Sequence, residues 1–502
     1  MPTRGLNTSG LTQVTQAEWA LGHLNEEVPG DFEAEPDKLI YGPLNGLMPA
    51  LLSEVLGEAS DLERWAAFSN SLWILLILAL WIVPIARRLG GETAAIGALI
   101  TWISIPRVWA IGTSANLSGL FLLLFTGSVI SMIHARDRIR WLLPAVLLTL
   151  SAMFTSQLSV YLLIPWLAMT FIGVQEPGEG GKHPVRPLGA SALLFPVCLV
   201  LGYTLFKEML WPSSEVQFVE YLESFFTTSF TPLLYWGEIY TEHRLPWHSG
   251  MVMTLVTVPT VILVFSFFSI FSFSLRRQEV KNTRTADDPH SDVIISYELM
   301  KLCMLMAGVT MLFPFMLGRL NSNGVDLLSL QLPWLSVLSG LGFSLILSRV
   351  KGAFTRSAWK TLSLGRKLAL SLPVALIIVA LISNLLSPVQ VSPHFESYYS
   401  PLIGGDRGAS IHGFPLNQGG AVPPTLFEVL RDSGERPVGV SILPEQDSDR
   451  EIISHYVDAG WIDENIGWVS PERAQILVLR QDVADPSFYE MMNTYYRAAE
   501  EA

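Results

Sequence analysis

About ten apolar stretches, each long enough to enter a bilayer, run through the chain with Lys and Arg gathered in every second connecting loop. A run of about 20 apolar residues matches the roughly 30 Å of bilayer hydrocarbon. The stretches are residues 66–86, 93–111, 117–133, 141–154, 158–174, 188–206, 251–273, 299–317, 327–347 and 368–386. The stretch 141–154 is short and reads as one arm of a tight helical hairpin with its neighbour. Charged residues make up only 15% of the chain, against about 25% in soluble domains. A soluble enzyme is excluded.

The basic residues fix an orientation. Arg87 and Arg88 follow the first stretch, Arg136, Arg138 and Arg140 the third, and Lys182 and Arg186 the fifth. Arg276, Arg277, Lys281 and Arg284 follow the seventh, and Arg349, Lys351, Arg356, Lys360, Arg366 and Lys367 the ninth. Loops rich in Lys and Arg stay in the cytoplasm. The expectation is a multi-pass protein of the cytoplasmic (inner) membrane. Residues 1–65 then lie outside, residues 66–387 form the membrane domain with an outer loop at 207–250, and residues 388–502 form a non-cytoplasmic tail. No basic start followed by a short apolar core precedes residue 66. Either the first stretch carries this segment outside by itself or, the favoured reading, a first helix is missing from this sequence. Restoring it would give eleven spans.

The tail from Pro388 carries 18 acidic residues against seven Arg and no Lys. That balance argues against a nucleic-acid partner. Its pattern predicts helices over 423–431, 450–459 and 486–498 and strands over 437–443 and 475–479, a small α/β domain. The fold class expected is therefore an all-α polytopic membrane protein with a small C-terminal α/β extramembrane domain. Cys198 and Cys303 both lie in apolar stretches, which argues against a disulfide framework or a cysteine metal cluster. Mid-span carboxylates, which a proton or ion relay needs, are absent from the ten stretches, and no internal repeat is visible. A pump, transporter or flippase is disfavoured.

Candidate chemistry sits on the outer side. The patch Asp31-Phe32-Glu33-Ala34-Glu35-Pro36-Asp37 offers carboxylates for a general base or a metal, set against a plain solvated loop. Arg107 lies in Ile105-Pro106-Arg107-Val108-Trp109, and Arg319 flanks the short outer loop 318–325. Trp247 and His248 follow Pro246 at the mouth of the seventh stretch, where an indole and an imidazole suit a sugar or a phosphate. Tyr398 and Tyr399 precede the Gly404-Gly405 pair just beyond the last stretch.

Several segments together resemble bacterial membrane glycosyltransferases related to the protein O-mannosyltransferases (family 39, GT-C fold). Tyr235-Trp236-Gly237-Glu238-Ile239-Tyr240 followed by Pro246-Trp247-His248 resembles their YxGxxY…PWH loop. Ser397-Tyr398-Tyr399-Ser400 through Gly404-Gly405-Asp406-Arg407-Gly408-Ala409 is similar to their SYYNxxxGGxxGA segment. Leu332-Pro333-Trp334 with the following span, Ile40-Tyr41-Gly42-Pro43-Leu44 and Ile105-Pro106-Arg107 resemble further elements in the same order. The likeness covers most of residues 38–410.

The resemblance implies transfer of a sugar from a polyprenyl-phosphate donor to a protein, lipid or glycan acceptor on the outer face, with inversion. Asp31 or Glu33 would serve as catalytic base, and Arg107, His248 and Arg319 would hold the lipid phosphate beside Trp247, Tyr398 and Tyr399. The cofactor is left open, a divalent metal included, and no residue is assigned to a metal. The chain departs from the family pattern at three places. It has no Asp-Glu pair in its first 65 residues, no acid in Gly112–Ser118, and Asn321-Ser322-Asn323-Gly324 where the family has YDGxR. These departures carry the alternative reading, a non-catalytic GT-C-like membrane protein that binds lipid or a partner subunit.

Overall fold

The structure is a computed structural model. It describes residues 44–56, 62–113, 118–137, 141–155, 157–162, 233–240, 246–283, 292–316, 326–353, 385–391, 398–412, 438–443, 466–469 and 476–479, with isolated positions at 13–14, 17, 379, 382–383, 395, 414 and 473. Helices dominate: α1 Leu44–Leu56, α2 Leu62–Leu76, α3 Val83–Ser104, α4 Pro106–Thr113, α5 Ser118–Asp137 and α6 Leu142–Met153 come first. A hairpin of β1 Leu233–Tyr235 and β2 Glu238–Tyr240 follows. Then come α7 Ser249–Thr257, α8 Thr260–Thr283, α9 Asp292–Met316, α10 Asp326–Ser329, α11 Leu332–Ala353 and α12 Gly405–Ile411. The tail adds β3 Val438–Leu443, β4 Ile466–Trp468 and β5 Ile476–Leu479.

Helical turns run without a gap from Leu62 through a π segment, Ile77–Ile82, to Ser104. A straight helix of that length would reach about 60 Å, twice the hydrocarbon thickness. It is not straight. Ser71 Oγ donates to the Gly112 carbonyl, which requires the chain to fold back between them. The reversal is at Gly90–Gly91, where Gly91 has φ 73° and ψ −168°, a backbone that only glycine adopts without strain. Arg87 and Arg88 precede that turn, where the sequence places the first basic loop. Arg87 also pairs with Glu92 across the turn at 3.0 Å, on an exposed surface where such a pair adds little.

Helices α3, α8 and α11 form the tightest part of the bundle. Gly340 lets α11 lie directly on α3: a Cβ there would meet the Ala94 carbonyl and the Ala98 nitrogen at 2.5 Å. Gly342 does the same against the backbone of Phe265 on α8. Small residues at such crossings are how membrane helices gain close packing without a hydrophobic driving force. Thr101 and Ser339 close the α3–α11 contact with a hydroxyl pair at 2.9 Å. Trp102, Phe125 and Trp334 are buried in the surrounding core.

The two ends of the bundle differ. At one end Ser344 Oγ donates to the Gly90 carbonyl, Arg88 Nη1 lies 3.4 Å from His134 Nε2, and Arg349 sits over the Phe268 ring. Starts of three basic loops thus share an end. At the other end amides lace the helices together. Asn45 donates to the Thr155 carbonyl at 2.7 Å, Gln13 to the Asn45 carbonyl at 3.4 Å, and Asn70 to Gln13 at 3.3 Å.

One expected span is broken. Residues 251–273 do not form one helix: α7 and α8 meet at 120°. Val258 is extended (φ −94°, ψ 136°) and Pro259 follows it. Proline has no N–H to continue the ladder and pushes the residue before it out of the helical region. The stretch 93–111 is interrupted in the same way at Ile105, extended before Pro106. The stretch 188–206, nearly all of 368–386, and 158–174 beyond Leu162 lie outside the described residues. In the tail the three strands form a parallel sheet in the order β4-β3-β5, with Val440 paired to Trp468 on one side and Ile476 on the other. Strand β4 had no counterpart in the sequence reading. The three tail helices expected from sequence lie outside the described residues.

Among the described residues, Leu62–Ser104 and Leu332–Lys351 are long and apolar enough to cross a membrane, and the bent pairs α4–α5 and α7–α8 qualify if each is one span. The protein is a helical, multi-pass membrane protein with a small parallel sheet in its tail.

Candidate functional site

The site is assembled at the end of the bundle away from the Gly90–Gly91 turn. In a straight helix the Val256 carbonyl would accept from the nitrogen of residue 260. The elbow at Val258–Pro259 releases it, and the Ser400 N–H takes it at 2.6 Å. Ser400 is further fixed by a hydroxyl pair with Thr260 at 2.8 Å and by accepting from the Leu402 N–H at 3.3 Å. A proline in one element thereby docks a segment about 140 residues downstream. From the other side Gln331, ahead of α11, donates to Thr254 Oγ1 at 2.7 Å.

On this base Tyr235, Met253, Val256, Leu328, Tyr399, Ala409 and Phe414 form one buried cluster. The hairpin tip rises above it. Tyr235 pairs with Glu238, leaving Trp236 and Gly237 as a two-residue loop with φ of 56° and 81°. Positive φ at both loop positions defines a type I′ turn, which normally takes Asn, Asp or Gly first. Trp236 is the one non-glycine residue with positive φ among the described residues. Holding it there costs on the order of 1 kcal/mol.

Among the exposed side chains are two indole–imidazole pairs. Trp247, 64% exposed, meets His248 edge-on with ring centres 5.7 Å apart. Trp236, 59% exposed, lies 6.4 Å from His412 at 46°. Tyr235 stands between the pairs, 6.1 Å from His248 and 6.4 Å from Trp236. Phe414 braces Trp236 edge-on at 5.6 Å and also touches Tyr235 and Tyr399.

The sequence-derived candidates divide accordingly. Trp247 and His248 are exposed on this shelf. Tyr398 and Tyr399 are buried, and Tyr399 supports the shelf through Phe414. Arg107 opens α4 and is only 3% exposed. Two residues on, Trp109 stacks on Phe395 at 6.3 Å, which ties α4 to the segment leading to Tyr398. Asp31, Glu33 and Arg319 lie outside the described residues. Trp236 and His412 were not singled out as site residues. The Trp-Gly pair between short β-like runs is the signal for the first, and nothing local marks the second. Among the described residues no group of three or more His, Cys, Asp or Glu could hold a metal ion.

No family model matches the sequence, and no curated protein matches it either. Among solved structures the chain is similar to ArnT from Cupriavidus metallidurans in the apo state, at 16% identity and a TM-score of 0.43. The similarity covers 79% of this chain and 64% of that one.

Proposed function

We propose that this membrane protein is a glycosyltransferase of the GT-C type that takes a sugar from a polyprenyl-phosphate donor at the outer membrane face. The observation that supports the reading most is the meeting of two segments. The Tyr235–His248 loop and the Tyr398–Ala409 segment each resemble a motif of one glycosyltransferase family. More than 150 residues apart, they pack around Tyr235, Tyr399, Ala409 and Phe414, with His248 against Tyr235.

In the proposed step an acceptor hydroxyl on a protein, lipid or glycan attacks the anomeric carbon of the donor. The bond from that carbon to the phosphate oxygen breaks, and polyprenyl phosphate leaves with the electron pair. The acceptor proton passes to Asp31 or Glu33. Arg107, His248 and Arg319 are assigned to the leaving phosphate, where N–H donors meet the charge that develops. The donor's tail stays in the bilayer, which suits a site at the mouth of membrane helices.

The test uses the full chain in nanodiscs with radiolabelled polyprenyl-phosphate hexoses and a native membrane extract as acceptor. Transfer is expected, with and without added divalent metal compared. It is expected to fall at least about a hundredfold for Asp31→Asn with Glu33→Gln, as loss of acid–base catalysis predicts. Saturable donor binding without turnover would favour the non-catalytic reading, which the missing Asp-Glu pair motivates. Absence of donor binding would remove the lipid-linked sugar from both.

A further inference from the structure

We infer that Trp236 and His412 form a saccharide-binding platform, the subsite that selects the hexopyranose ring; this rests on the sugar-transfer reading above. Local folding does not account for Trp236. The first position of a type I′ turn favours Asn, Asp or Gly, yet an indole stands there at φ 56° and is left exposed. A strained residue persists where its surroundings hold it and its side chain is put to use. Here the surroundings are plain. Phe414 packs edge-on against the indole at 5.6 Å, and Tyr235 does so at 6.4 Å. The ring is braced on two sides, has His412 beside it, and is 59% exposed.

The neighbours point to the ligand. A pyranose has a face of C–H bonds and a rim of hydroxyl groups. An indole supplies a flat apolar surface for the first, and an imidazole supplies one donor and one acceptor for the second. The shelf repeats that combination: Trp236 beside His412 and Trp247 beside His248, with Tyr235 between them. A lipid-facing belt uses aromatic rings with no need of a rigid turn or of paired imidazoles. Three of the four rings come from residues 236–248, but His412 lies far along the chain, so the Trp236–His412 pair is a product of the fold.

The experiment compares the wild type with Trp236→Asn and His412→Ala in nanodiscs. Asparagine suits the turn, so Trp236→Asn is expected to keep or raise the melting temperature. Saturation-transfer NMR with a panel of methyl hexopyranosides should show a preferred sugar on the wild type and lose that signal in Trp236→Asn. In the transfer assay KM for the matching polyprenyl-phosphate hexose should rise about tenfold, with kcat within about twofold. Unchanged saccharide binding and KM in Trp236→Asn, while the wild type still transfers sugar, would overturn the platform and leave the transfer reading intact. Saccharide binding through Trp236 without any turnover would keep the platform and remove transfer. Failure of the wild type to bind any glycoside would overturn the platform. So would a Trp236→Asn defect confined to partition into sugar-free vesicles, which is the behaviour of a bilayer anchor.

Discussion

The contact of α3, α8 and α11 and the outer shelf are built on opposite principles. In the first, glycines remove side chains so that backbones touch, and one hydroxyl pair closes the seam. In the second, large rings stand apart on a strained hairpin and a bent helix, and much of their surface is left uncovered. The first region packs backbone on backbone and leaves only a small pocket between Thr101, Phe265 and Ser339. The second accepts an exposed indole at a disfavoured backbone position. Under the proposed function, stability and ligand recognition fall to different parts of the same bundle.

Substitutions can break or sharpen that division. The largest effect is expected for Gly342→Ala, whose Cβ would drive into the Phe265 backbone. It should cost about 3 kcal/mol and show as loss of folded protein in a detergent thermal-shift assay. Ser400→Ala should cost about 1 kcal/mol, because the Thr260 hydroxyl loses its partner. Its distinguishing mark would be faster proteolysis near residues 398–412 with the bundle intact. A uniform loss of stability would instead mean that the shelf and bundle melt together. Thr101→Val should cost about 0.6 kcal/mol, the usual worth of a hydrogen bond between membrane helices. Urea or thermal titration in micelles would read it, and donor turnover should stay unchanged. The smallest stability effect is expected at Trp247→Ala, within about 0.5 kcal/mol since the ring is exposed. Donor KM should nevertheless rise in the transfer assay. A large stability loss there would erase the contrast between the two regions.

Hydropathy and charge made the bundle legible. Arg87, Arg88 and the Gly90-Gly91 pair mark the first reversal directly, because glycine and cationic loops act locally. Hydropathy could not see the α7–α8 elbow, since Val256, Val258 and Val261 are as apolar in a bent chain as in a straight one. Pro259 was the available signal. The hairpin was hidden inside an aromatic-rich loop that reads equally well as an interfacial segment. Trp247 and His248 were legible because they sit beside a proline at a span mouth. The approach of His412 to Trp236 was not, because it depends on the elbow, on Ser400 and on Phe414 acting together.

The Val256 carbonyl can serve one main-chain donor well, and two compete for it. In a straightened helix the claimant is the nitrogen of residue 260; in the bent one it is Ser400. Pro259 keeps α7 and α8 from straightening, so the Val256 carbonyl stays available to dock the 398–412 segment. The bond from Ser400 keeps the freed carbonyl from being stranded in hydrocarbon. A single peptide oxygen, freed by the bend, thus becomes an anchor for the segment that carries Tyr399 and His412.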